Sequence, residues 1–144
     1  VVRQTTQHRR RSLFEDALGA IRRDFADENL SLAAVAHSIA TSRRQLQRVF
    51  AEQGTSFRRE LQRIRMGRAA ELLRHEALPV AAVARAVGYR QAAQFSKAFR
   101  RHHGHPPSDA RGAPAATRAP QARGDGSGRP ADDHRRSRLG RAAA

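Results

Sequence analysis

Along this chain the apolar positions keep helical register. Leu13, Phe14, Ala17, Leu18, Ile21 and Phe25 recur at steps of three and four, which predicts an amphipathic helix over 12–27 with a charged outer face. The same test predicts a long helix over 57–75, with Phe57, Leu61, Ile64, Ala69, Leu72 and Leu73 as its stripe. Its other face is expected to carry Arg58, Arg59, Arg63, Arg65 and Arg68. No segment alternates with a period of two, so no sheet is expected.

On either side of the long helix the chain repeats itself. LAAVAHSIATS from Leu32 matches VAAVARAVGYR from Val80, and Leu46 and Phe50 match Phe95 and Phe99 after one inserted residue at the turn. Each copy reads as two short helices. In the first, Leu32, Val35, Ala36 and Ile39 face inward, a break follows at Ala40 and Thr41, and Ser42 sits three residues before Gln45, the capping-box spacing. Leu46, Val49 and Phe50 then carry the buried face of the second helix, which Gly54 ends. In the other copy Pro79 can occupy the first helical turn, Val80, Val83, Ala84 and Val87 face inward, and Gly88 supplies the turn. A helix from about Gln91 to His103 buries Phe95, Ala98 and Phe99, and Gly104 closes it ahead of Pro106 and Pro107.

The ends differ in character. Residues 1–11 have no periodicity and finish in a basic run, which reads as a frayed arm or linker. Residues 112–144 are rich in Arg, Gly, Pro and Ala without an apolar stripe, and are expected to be disordered.

Charge narrows the partner. With 28 Lys and Arg against 13 Asp and Glu, the formal charge of +15 favours a polyanion through counterion release and long-range attraction. Most of this excess lies before residue 112. The outer face of the second helix in the first copy carries Arg43, Arg44, Gln47 and Arg48. Arg can fork onto guanine O6 and N7, Gln can pair with adenine N6 and N7, and either can hold a phosphate. The corresponding helix of the other copy shows Gln91, Gln94, Ser96, Lys97, Arg100 and Arg101 outside. Two such helices about 34 Å apart would read successive turns on one face of a duplex.

These residues resemble the DNA-binding region of AraC/XylS-type transcription regulators, from about Leu13 to Arg111. The resemblance is carried by 32–50, 57–74 and 83–111, and is sharpest in Gly88, Tyr89, Phe95, Phe99, Gly104, Pro107 and Arg111. It implies two helix-turn-helix units on a long connecting helix, binding double-stranded DNA across adjacent major grooves, often as an activator that touches RNA polymerase. It also implies base reading by Arg44, Gln47 and Arg48, and by Ala92, Ala93, Gln94, Ser96 and Lys97. Ala92 and Ala93 offer only methyl groups, so the first unit is expected to contribute more base specificity. Ala110 stands where an aromatic commonly anchors the last helix, and loose C-terminal packing is expected there. Most members carry a larger sensing or dimerisation domain ahead of this region. About a dozen residues precede the first helix here, so the chain is either a stand-alone regulator or a piece of a longer one.

Other chemistry finds little support. The absence of Cys removes disulfides and thiolate zinc sites. His102, His103 and His105 cluster at a helix end without a carboxylate at ligand spacing, so an exposed or phosphate-facing role is expected and no metal. No catalytic pair, nucleophile elbow or phosphate loop is present, and no cofactor is expected. The most apolar stretch, 77–87, is short and contains Arg85, so neither a membrane span nor a signal peptide is expected, and the cytoplasm of a bacterium is the expected compartment.

The reading is therefore an all-α protein of about seven helices. An arm covers 1–11, a tandem helix-turn-helix domain 12–111 and a tail 112–144. Within the domain the units fall at about 30–54 and 79–104, joined by the helix at about 57–75. The expected function is sequence-specific regulation of transcription, by activation, as a monomer or dimer on DNA; a nonspecific nucleoid-type binder is the alternative. The candidate DNA contacts are Ser42, Arg43, Arg44, Gln47, Arg48, Arg90, Gln91, Gln94, Ser96, Lys97 and Arg101.

Overall fold

The computed structural model describes residues 2–111, with side chains from Gln4 onward, so the tail expectation for 112–144 lies outside the described residues. Among these residues there are seven helices and no strand: α1 (Val2–Asp24), α2 (Leu32–Ser38), α3 (Arg43–Glu52), α4 (Phe57–His75), α5 (Val80–Ala86), α6 (Ala92–His103) and α7 (Pro107–Ala110). Three starts are fixed by serine caps. Ser31, Ser42 and Ser56 accept from the backbone N–H of Ala34, Gln45 and Arg59 at 3.1, 3.1 and 3.2 Å. Each satisfies a donor that a helix start would otherwise leave unpaired.

The first helix corrects the expectation of a frayed arm over 1–11 and a helix over 12–27. It already runs at Val2 and stops at Asp24. Extending a nucleated helix costs far less than starting one, and Arg and Gln are good helix formers. Arg10 also gains a partner, pairing with Glu52 of α3 at 2.9 Å. At the other end the chain turns out after Asp24, the Asp27 N–H bonding the Asp24 carbonyl at 2.9 Å and the Asn29 N–H the Asp27 carboxylate at 2.9 Å. Pro79 stands one position before α5 rather than within it, and its carbonyl accepts from Val83.

Two cores lie side by side. Ala17, Leu18, Ile21, Val35, Ala36, Leu46, Phe50 and Leu61 form the first, and Met66, Ala69, Leu72, Leu73, Val83, Val87, Phe95 and Phe99 the second. Helix α4 serves both by turning a different face to each. Phe57, Leu61 and Ile64 face the first core, whereas Met66, Ala69, Leu72 and Leu73 face the second. At about 100° per residue these faces differ by roughly a third of a turn. Phe25, in the bend after α1, packs against both cores.

Arg65, expected on the charged face of α4, is buried. It is the middle step of the series Phe57, Leu61, Arg65, Ala69, Leu73, whose four-residue spacing turns by about 40° at each step and so carries the buried face from the first core to the second. The expectation of loose packing at the C-terminal end is also revised. Pro107 is buried, Ala110 is half-buried against the second core, and the Arg111 guanidinium donates to the Leu78 carbonyl.

Candidate nucleic-acid interface

The first unit presents α3 with its buried side, Leu46, Val49 and Phe50, against the core. That leaves Arg43, Arg44, Gln47 and Arg48 exposed on the opposite side, and among the described residues none of the four is engaged in a hydrogen bond or ion pair. Ser42 is exposed too, but its oxygen already accepts from Gln45 as the cap, so only its O–H remains to donate outward. The Gln45 side chain turns to the Thr41 hydroxyl, which donates to it at 3.2 Å.

The second unit presents α6 in the same way. Phe95 and Phe99 point into the core, Gln91, Gln94, Lys97 and Arg101 are exposed, and Ser96 is half-buried. Ala92 and Ala93 are exposed at the start of the helix. Arg101 lines a cleft of about 710 Å³ between the units, with Leu32, Phe57, Leu61, Arg65 and Tyr89 on its other walls. Arg90 is set apart from the other candidates. Its Nε lies 3.1 Å from the Glu28 carboxylate and its Nη2 donates to the Asn29 side chain at 2.5 Å, so a phosphate would have to compete for it.

The histidines divide. His103 is half-buried, its Nε2 lies 3.1 Å from the Met66 carbonyl on α4, and its ring packs on Phe99 with centroids 4.3 Å apart. It ties the last long helix to the connecting helix, which the expectation of an exposed role had missed. His102 stays exposed, and desolvation, then His103 and Arg63, push its pKa below the ordinary value.

The side chains not foreseen as functional are those at the junction. The Arg65 Nε donates to the Phe25 carbonyl and its Nη2 to the Asp27 carbonyl, each at 2.8 Å, and the guanidinium carbon lies 5.6 Å from the Tyr89 ring centroid. Burial presses its pKa down, while Tyr89 and Asp27 oppose the shift. Arginine nonetheless stays charged. The unbroken four-residue ladder through Arg65 is the signal by which sequence could have found it.

Two repeated helix pairs, each with a charged outer helix and joined by one long helix, define a tandem helix-turn-helix protein. The family model described as "Helix-turn-helix domain" matches residues 35–113. The chain belongs to the AraC-type helix-turn-helix family of transcription regulators. Uncharacterized HTH-type transcriptional regulators of Mycobacterium bovis and Mycobacterium tuberculosis are each 39% identical to it over 87 residues. That match covers 59% of this chain and 25% of each relative, so the chain spans about a quarter of their length.

Among solved structures, the C-terminal domain of AraT, a response regulator from Geobacillus stearothermophilus, superposes with a TM-score of 0.67 at 32% identity. The match covers 76% of this chain and 94% of that one. A Chromobacterium violaceum regulator described by its AraC-type DNA-binding domain gives 0.66 at 26% identity, covering 70% and 90%.

Proposed function

We propose that this chain binds double-stranded DNA sequence-specifically and regulates transcription, laying α3 and α6 in successive major grooves. The observation that carries the reading is the pair of outward faces. Arg43, Arg44, Gln47 and Arg48 on α3, and Gln94 and Lys97 on α6, are exposed and uncompensated on two copies of one helix pair. Helix α4 has 19 residues, and at about 1.5 Å each it spans roughly 28 Å, close to the pitch of one DNA turn.

Bases are read by Arg44, Gln47 and Arg48 in the first unit and by Gln94, Ser96 and Lys97 in the second. Ser42, Arg43, Gln91 and Arg101 hold phosphates, and Arg90 does so only by leaving Glu28. Two tandem heads suffice for a monomer to bind. Regulation is by activation through contact with RNA polymerase, which puts the protein at work in the bacterial cytoplasm.

The test is selection from a randomised duplex library at about 0.15 M salt, with the bound fraction sequenced. Enrichment of two short blocks about one helical turn apart is the expected result. Binding that falls with salt equally on all sequences would overturn the reading and leave a nonspecific binder, for which the +15 charge alone would account. Transcription with purified polymerase from a promoter carrying the selected site gives the sign, and fewer transcripts would refute activation.

A further inference from the structure

Several of the contacts that bridge the two units meet at one side chain. Arg65 sits in α4 where the buried face changes from one core to the other. On one side it donates to the Phe25 and Asp27 carbonyls of the α1–α2 bend, and on the other its guanidinium lies against the Tyr89 ring at the α5–α6 turn. The seal is tight. A Cβ at position 88 would lie 2.7 Å from both the Phe25 oxygen and the Arg65 Nη2. Arg90 adds an outer strap to Glu28 and Asn29.

Apolar packing is non-directional, so a core alone lets a unit slide or rock about α4. Two hydrogen bonds from a planar fork do impose a direction, and an ammonium could not span both carbonyls and stack on the ring together. A turn of about 10 base pairs means roughly 35° of rotation per base pair, so a small rocking of one head is enough to change register on DNA. We propose that Arg65 is a positioning residue that locks α3 and α6 in one relative orientation and so sets the separation of the two half-sites the protein accepts. The half-site consequence rests on the DNA-reading function proposed above; the locking itself does not.

The chain contains no cysteine, so Ala51→Cys on α3 and Arg100→Cys on α6, both exposed, can carry two spin labels in the whole chain. Pulsed dipolar spectroscopy then reads their separation. A single narrow distribution is expected for the parent, widening by about twofold or more in Arg65→Met with helical content unchanged. Arg65→Lys keeps the charge and most of the stem, so it folds even where the methionine variant fails, and an intermediate width is expected. A distribution as narrow as the parent's in a folded variant overturns the lock.

The consequence is read on duplexes carrying the selected two-block site with the spacer changed by one base pair. The parent should lose about tenfold or more in affinity, and Arg65→Lys no more than about threefold. Equal spacer penalties would overturn the half-site role. If the parent selects no two-block site, the DNA-reading function falls, while the label distances still decide the lock.

Discussion

The two helix-turn-helix units share a sequence pattern yet turn their corners differently. Ala40 in the first unit and Gly88 in the second occupy matching positions, and both have positive φ, 53° and 88°. Ala40 is exposed and carries a side chain in a conformation that costs an L-residue roughly 1–2 kcal/mol. Gly88 is buried under Phe25 and Arg65, where a Cβ would meet a carbonyl oxygen. The glycine of the second turn is therefore required less by its own backbone than by the other unit pressing on it. The helix starts differ as well, since the Ser42 oxygen caps α3 whereas Gln91 gives α6 no side-chain cap.

The largest expected effect tests how far the two units stand alone. Phe50→Ala and Phe99→Ala each empty the centre of one core, and each should cost about 3–5 kcal/mol in urea unfolding. Probes placed in each unit should show the damaged one melting first; simultaneous loss would make the pair a single cooperative body.

The two corners come next. Gly88→Ala should lower stability by roughly 2–3 kcal/mol, from backbone strain plus the clash. Ala40→Gly should change it by no more than about 1 kcal/mol, because relief of strain is offset by chain entropy. Comparable losses at both sites in calorimetry would erase the distinction drawn between them.

Cap exchange gives a smaller effect. Ser42→Ala should cost about 1 kcal/mol, and Gln91→Ser should add up to about that much, read as opposite shifts of the urea midpoint.

The smallest effect concerns acid. The pKa of His102 in the folded chain lies below the ordinary 6.5, so the unfolded chain binds its proton first. Its contribution is fully present above about 6.5 and is lost as pH falls from there toward the lowered folded value. His102→Gln should flatten that part of the stability profile; a profile unchanged by the substitution would refute the attribution.

Much of this was legible because periodicity and repetition are local signals. The stripe from Phe57 to Leu73 identifies the connecting helix, and the match between the Leu32 and Val80 segments identifies the tandem pair. Where the chain was misread, the deciding partner lay far along it. Helix α1 reaches back to Val2 in company with an ion pair whose acid, Glu52, is 42 positions from Arg10. Arg65 reads as one of the solvated arginines when charge is weighed above pattern; its acceptors are backbone carbonyls, which every residue has and no composition reveals. Met66 lay off the stripe for a related reason, since the stripe itself rotates where α4 passes from one core to the next. The outward positions on α3 and α6 follow from helical geometry once the buried faces are known, but which of them would touch a partner is a matter of the partner's shape.

That rotation of the buried face along α4 bears on how such a protein can change over time. A substitution in the first half of the helix is felt by one head and a substitution in the second half by the other, and effects at separated sites add nearly independently. Under the DNA-reading function proposed above, each head can thus drift toward a new half-site without unsettling its neighbour, so long as the few residues shared at the junction, Phe25 and Arg65 foremost, are held constant. Variation in recognition is free at the two ends and confined at the middle, which is the arrangement a reader of two independent words with one fixed gap would need.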